Sequence, residues 1–350
     1  MNTFFSIIFS SFLFLCTSCA SPEAETRVIS PKDFSRELSE NYNATLIDIR
    51  RPDEYQAGHI KGARPINWED STLFYSEVTK LAQTEPVYLY CRTGRRSAEA
   101  AQYLHKQGFN VVDLEGGYVA WVQASMETTK YESDIFSTNA GRKVSITFIK
   151  HGTLMIEVDG TIIHIDPVSS YAENYESLPK ADIILVTHEH GDHYDAKAIE
   201  TLSKSNTAFY SNKRVSELSG KSIAMSVGDS QEIANIKITA TAAYNSSEGH
   251  ENFHPKGRDV GYLLDIDDLR LYIAGDTEPI DEFSAIQNIN IAFLPVNQPY
   301  TMTVEQCIQA IDSIKPHIVY PYHYGNTDLS PIVDHYKENN QIEIRIRDLQ

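Results

Sequence analysis

Apolar and polar positions follow two different rhythms along the chain, and the change falls near Lys143. Before it, short apolar runs separate stretches with helical spacing. Ala44 to Ile49, Val87 to Tyr90 and Val111 to Leu114 are apolar runs of strand length. Ser97 to Gln107 carries Ala98, Ala101 and Leu104 at helical spacing and runs into Gly108, a natural helix stop. Ser30-Pro31-Lys32-Asp33-Phe34 has the proline and first-turn acid of a helix start. Strands alternating with helices predict a mostly parallel α/β sheet over residues 28–125. Residues 126–142 are polar and aperiodic and read as a linker or the lead-in to a strand.

From Lys143 the period shortens. Val144 to Ile149, Thr153 to Val158 and Thr161 to Ile165 are strand-length segments, with Asp159-Gly160 as a hairpin turn between the last two. Ile183 to Thr187, Ile236 to Ala242, Gly261 to Ile266, Arg270 to Ala274 and Ile291 to Pro295 read as further strands, and Val304 to Ile314 as a helix. Hairpins with flanking helices predict a two-sheet sandwich with helices outside, over residues 143–350.

Composition changes this picture in one respect. A formal net charge of −18 excludes nucleic acid as a partner, because a phosphate backbone is held by clustered Lys and Arg. The first residues carry a separate signal. Phe4 to Leu15 is almost wholly apolar or Ser, too short to span a bilayer, and ends in Leu15-Cys16-Thr17-Ser18-Cys19. Small residues before a Cys after such a run resemble a bacterial lipoprotein signal. The resemblance implies a signal peptide over 1–18, a lipidated Cys19, a tether over 19–27 and export to the cell envelope, with membrane contact through the lipid alone. An ordinary secretory signal is the alternative.

Thr187-His188-Glu189-His190-Gly191-Asp192-His193 follows an apolar strand. His188 and His190 are two apart, so in extended backbone they share a side. Imidazole with carboxylate is the donor set of zinc and similar transition metals. Downstream, Asp276 ends a strand in Gly275-Asp276-Thr277, and His323 follows the apolar run Ile318 to Tyr320. Together these segments resemble the metallo-β-lactamase superfamily, over residues 143 to about 340. The resemblance implies an αββα sandwich and two divalent metal ions, zinc first, with manganese and iron suited by the same donors. His188 and His190 would bind one ion, Asp192, His193 and His323 the other, and Asp276 would bridge. Ala243-Tyr244-Asn245 and Phe253-His254-Pro255-Lys256-Gly257 resemble the branch near the ascorbate-phosphate lactonases, which assigns His254 to the first ion, with His250 as its competitor. Asp166 would orient a ligand or cap a turn. The chemistry implied is hydrolysis of a lactone, ester, amide or phosphodiester in a small-molecule substrate by a hydroxide bridging two cations, with Asp192 beside it. Lys256 and Arg258 stand where they would bind an anionic substrate or line a solvated loop.

Tyr90-Cys91-Arg92-Thr93-Gly94-Arg95-Arg96-Ser97 follows a short strand and opens a helix. Successive backbone N–H groups there form an anion cradle, a setting for a nucleophilic thiolate. Arg92, Gly94, Arg95 and Arg96 are the candidate substrate-binding residues. With Leu46 to Tyr55, Gly58 to Ala63 and Glu115 to Trp121, this loop resembles the single-domain rhodanese sulfurtransferases over residues 28–125. The resemblance implies an α/β rhodanese domain in which Cys91 takes a sulfane sulfur from a donor and passes it to a thiol acceptor. The six-residue loop Cys91 to Arg96 fits sulfur rather than phosphate. Two alternatives stay open: an iron-dependent persulfide dioxygenase coupled to rhodanese, and a hydrolase whose rhodanese domain only binds or senses.

Overall fold

The computed structural model describes residues 24–41, 44–172 and 175–350. The proposed signal and Cys19 lie outside them. No helix of the described residues is long and apolar enough to cross a membrane.

The N-terminal unit is a five-stranded parallel sheet in the order Thr26–Ile29, Val111–Leu114, Val87–Tyr90, Thr45–Asp48, Arg64–Pro65. Strand alternation sends Val87 and Leu89 to one face and Tyr88 and Tyr90 to the other. The first face packs against Phe74, Val78, Ala100, Ala101 and Leu104, from the helices Ser71–Val78 and Arg95–Lys106. The second packs against Phe34, Tyr55 and Trp121. Covering both faces is what a parallel sheet requires.

The C-terminal unit is a sandwich of two seven-stranded sheets. The first begins with the antiparallel strands Ser133–Ser137, Lys143–Lys150, Thr153–Val158 and Thr161–Ile165, then turns parallel through Ala181–Val186 and Ser203–Ser211. The second runs from Ser230–Ile233 through Ile236–Ala243, Asp259–Ile266 and Leu269–Ile273, then turns parallel through Ile291–Pro295 and Ile318–Tyr322. Ile146, Phe148, Ile156, Ile163 and Leu185 meet Ile238, Tyr262, Leu271, Phe293 and Tyr320 between the sheets. Helices cover the outer faces, among them Ala196–Leu202 and Val304–Ile314. Cys307 lies in this core, where burial pushes its thiol up to about 12. This is the αββα layering expected for residues 143–350.

Two boundaries move. The segment 126–142 is not simply a linker, since Ser133–Ser137 is the edge strand of the first sheet. Asp134 on this strand, half-buried, accepts from Arg347 and from the Tyr320 hydroxyl. The expected tether also ends early, because Thr26–Ile29 pairs with Val111–Leu114 and Arg27 meets Glu37 at 2.8 Å.

The units meet along this edge. Thr129 and His59 exchange backbone hydrogen bonds of 2.8 and 2.9 Å. Gly62 N–H donates to Ser133 Oγ at 2.9 Å, and Lys61 pairs with Glu157 at 2.8 Å. A groove of about 600 Å³ lies between the units, with Thr45, Lys61, Lys143 and Leu269 in its walls.

Candidate functional site

The strand Ala181–Val186 delivers Thr187 and the histidine cluster to one end of the sandwich. His188, His190 and His254 bring one ring nitrogen each within 4.8 Å of one another. His254 reaches the group from the loop before Asp259–Ile266. His250, the competitor, turns away and pairs with the buried Glu278 at 2.9 Å. A second group holds Asp192, His193 and His323, with donor atoms equally close, and adds His151.

Asp276 stands between the groups. Its Oδ2 lies 3.4 Å from His254 Nε2, 3.8 Å from His188 Nε2 and 3.2 Å from His323 Nε2, and its Oδ1 lies 3.4 Å from His193 Nε2. Two donors on one ion at about 2.1 Å in tetrahedral geometry stand about 3.4 Å apart. The spacing therefore fits shared cations, and most of it is too long for hydrogen bonding. A second observation agrees: His188 Nε2, His193 Nε2, His323 Nε2 and Asp276 Oδ1 are buried without a hydrogen-bond partner. Groups so placed are costly unless something binds them.

The Nδ1 atoms of His193, His254 and His188 are tied down, while His323 Nδ1 is buried without a partner as well. His193 Nδ1 meets Asp166 Oδ2 at 2.8 Å, His254 Nδ1 meets Asp259 Oδ2 at 3.0 Å, and His188 Nδ1 meets Thr187 Oγ1 at 2.9 Å. Such contacts fix the tautomer that leaves Nε2 free to ligate. Asp166 also accepts from Thr187 N and Oγ1, both at 2.7 Å. Its place is thus behind His193, as an orienting acid. Burial holds His188 well below the usual imidazole range, helped by His193, His254 and His190, so it is a neutral donor. Burial opposes charge on His193, but Asp276 and Asp166 outweigh it and push this imidazole up to about 10. Burial also opposes charge on Asp192, yet His151, His323 and His193 hold it well below the usual carboxylate range.

The cations expected to meet substrate are otherwise engaged. Arg258 pairs with Asp259 at 2.8 Å and lies 3.5 Å from Glu189, and Lys256 pairs with Glu282 at 3.0 Å. Both serve the loop that carries His254.

The Cys91 loop forms at the end of Val87–Tyr90. Gly94 N–H donates to Cys91 Sγ at 3.2 Å. Gly94 has a φ of 93° and precedes the helix Arg95–Lys106, whose N-terminus meets the loop. The loop is seated on Gly117, where an added Cβ would lie 2.4 Å from the Cys91 carbonyl oxygen. Tyr118 and Val119 N–H groups donate to the Cys91 and Arg92 carbonyls at 2.8 and 3.0 Å. Arg92 and Arg95 are exposed beside the loop. Arg96 departs from its expected role. It is bound to Glu54 at 2.9 Å and Glu69 at 3.3 Å, and so braces the domain instead of facing an anion.

Two residues beside these donors, His151 next to Asp192 and Asp259 behind His254, are not singled out in the sequence. His151 follows a strand and precedes Gly152, which is a usable signal. Asp259 had none, being one acid among several.

The family described as Beta-lactamase superfamily domain matches residues 145–323, and that described as Rhodanese-like domain matches residues 30–124. A metal-dependent hydrolase of Nanoarchaeum equitans is 32% identical over 191 residues, 52% of this chain and 84% of that protein. The crystal structure of a candidate metal-dependent hydrolase from Parabacteroides distasonis is 49% identical, covers 63% of this chain and 100% of its own, and superposes with a TM-score of 0.61. A metallo hydrolase from Ignicoccus hospitalis is 26% identical, covers 59% of this chain and 95% of its own, and gives a TM-score of 0.51. With the sandwich, the cluster at its rim and the parallel sheet before it, the chain belongs to the beta-lactamase superfamily and carries a rhodanese-like domain ahead of the metallo-β-lactamase fold.

Proposed function

We propose that the chain is an exported, lipid-anchored metal-dependent hydrolase of lactone, ester or phosphodiester bonds, with a sulfurtransferase domain. The observation that carries the hydrolase reading is Asp276 between two histidine groups, among buried nitrogens without partners. The similar proteins from Nanoarchaeum equitans and Ignicoccus hospitalis, a metal-dependent hydrolase and a metallo hydrolase, agree with it. Two divalent ions, zinc first, would be held by His188, His190 and His254 on one side, Asp192, His193 and His323 on the other, and Asp276 between them. Bound there, they would supply a water acidic near neutral pH and positive charge for a developing oxyanion. Asp192, with a side chain 41% exposed, is the most open of these carboxylates and, kept ionised by His151, His323 and His193, would orient the attacking water by accepting a hydrogen bond from it.

In the rhodanese domain, Cys91 Sγ attacks the outer sulfur of a donor such as thiosulfate. The new S–S bond forms on Cys91 as the donor's S–S bond breaks, and sulfite leaves with the electron pair. A thiol acceptor then attacks the outer sulfur and restores Cys91.

The test is elemental analysis of the chain from residue 20 onward, with oxygen uptake measured on glutathione persulfide. About two zinc or manganese per chain with no oxygen uptake supports the hydrolase, and a lactone and phosphodiester screen with His190→Ala as control follows. One iron per chain with persulfide-dependent oxygen uptake overturns it in favour of a dioxygenase. Labelled palmitate incorporated by the full chain and lost in Cys19→Ser tests the anchor.

A further inference from the structure

His151 sits at the turn between Lys143–Lys150 and Thr153–Val158. The register of this pair shifts between Phe148 and Lys150. Such an irregularity re-aims the side chain that follows. His151 then adopts a φ of 56°, a conformation uncommon for a residue with a Cβ and frequent at functional sites. Its backbone is clamped on both sides. Its N–H donates to Leu349 O at 3.2 Å, and its carbonyl accepts from His323 N–H at 3.4 Å. The ring lies against that of His323, with centroids 3.8 Å apart, and its Nε2 lies 3.3 Å from Asp192 Oδ2. His323 Nε2 lies 3.5 Å from the same oxygen. Both separations match the edge of about 3.4 Å expected between two ligands of one ion. Gly152 completes the arrangement, because a Cβ there would lie 2.9 Å from His193 Cε1. A glycine after His151 thus lets His193 and His151 approach the same point.

We infer that His151 is a ligand of the second metal ion, joining Asp192, His193 and His323. The first group, His188, His190 and His254, holds three protein donors besides Asp276, and the second holds four. The two ions are therefore unequal. This rests on the cluster being a metal site at all.

The experiment loads the metal-free full chain with Co(II), one equivalent at a time, and follows stoichiometry and visible absorption in the wild type, His151→Asn and His151→Gly. Both replacements tolerate positive φ, and far-UV circular dichroism reports folding. The wild type is expected to take up two equivalents. In both variants one of the two equivalents should bind more than about 100-fold more weakly than in the wild type, beyond the 10–100-fold typical of losing a supporting hydrogen bond. Its bands should also shift, as the ion loses a nitrogen donor. Two equivalents bound with unchanged bands by folded variants would overturn the inference alone, including the case where affinity falls and the spectrum stays the same. A wild type that takes up no metal would overturn the metal-site reading and this inference with it.

Discussion

Replacing Asp166 with Asn should cost the second metal site most of its affinity, although Asp166 is not a ligand. The carboxylate is fully buried and accepts three hydrogen bonds, from Thr187 N, Thr187 Oγ1 and His193 Nδ1. Asn keeps the shape but has one acceptor oxygen and one NH₂ donor. With the oxygen toward Thr187 N, the NH₂ faces His193 Nδ1 and forces the ring proton onto Nε2. That is the nitrogen which must be bare to bind a cation. With the amide turned over, His193 keeps its tautomer, but the NH₂ opposes the buried Thr187 N–H. A buried donor left unpaired costs about 1–3 kcal/mol. Each orientation is penalised, so affinity at the second site should fall about 10–100-fold, or about 1.4–2.7 kcal/mol. Competition against a chromophoric zinc chelator reads this directly, and the equivalent held by His188, His190 and His254, whose affinity should not change, serves as the internal control. A folded Asp166→Asn chain whose second zinc binds within twofold of wild type would refute the tautomer reasoning.

The two domains should separate by mutation. Cys91→Ser should abolish thiosulfate-to-cyanide sulfur transfer while leaving metal content and hydrolysis unchanged; loss of metal in this variant would show that the domains are coupled. Gly117→Ala places a Cβ against the Cys91 carbonyl at a φ of 60°. It should lower sulfur transfer at least tenfold and destabilise the rhodanese unit by more than about 1 kcal/mol, read by kinetics and urea unfolding. Asp113, 3% exposed, has its carboxyl pushed by burial from 3.8 up to about 6. The folded state thus favours the protonated acid. That advantage is complete below about pH 4 and is lost as pH rises through 6, where ionisation costs about 3 kcal/mol. Asp113→Asn should therefore stabilise the domain by up to that amount at pH 7–8 and by little near pH 4. Unfolding curves that differ equally at both pH values would contradict it.

The parts of the site legible in sequence were those whose neighbours are local. His188, His190, Asp192 and His193 follow one apolar strand within six residues, and Asp276 and His323 each end another. Period and turn chemistry also sufficed for both fold classes, because strands separated by helical spacing and strands joined by short hairpin turns such as Asp159-Gly160 differ in rhythm. What stayed hidden depends on distant partners. Arg96 looks like an anion-binding residue until Glu54 and Glu69, 42 and 27 positions away, are folded against it. His151 acquires its meaning from Asp192 and His323. Ser133–Ser137 has no apolar run to announce it, since it is held at the sheet edge by Asp134 and the C-terminal arginines. The motif context already favoured His254 over His250; what it did not show is that Asp259 and Glu278 claim one histidine each.

The arrangement of the domains bears on whether the two chemistries share an intermediate. In the rhodanese sheet Thr45 lies opposite Val87, at the strand starts, and Cys91 follows the far end at Tyr90. A second groove between the domains, lined by Tyr55, Arg64, Glu132 and Arg347, does not include the Cys91 loop, and neither does the groove walled by Thr45. On the hydrolase side its wall includes Lys143 and Leu269, the first residues of strands whose other ends lead to His151 and Asp276. The strand from Lys143 to Lys150 alone spans about 23 Å at roughly 3.3 Å per residue. Each site thus opens at the strand ends remote from the shared groove, and that groove is not a passage from one to the other. If Cys91 carries sulfur as proposed, a product common to both sites would leave the rhodanese loop on an acceptor thiol and return through solvent, and the exposed Arg92 and Arg95 are what such a diffusing acceptor would meet.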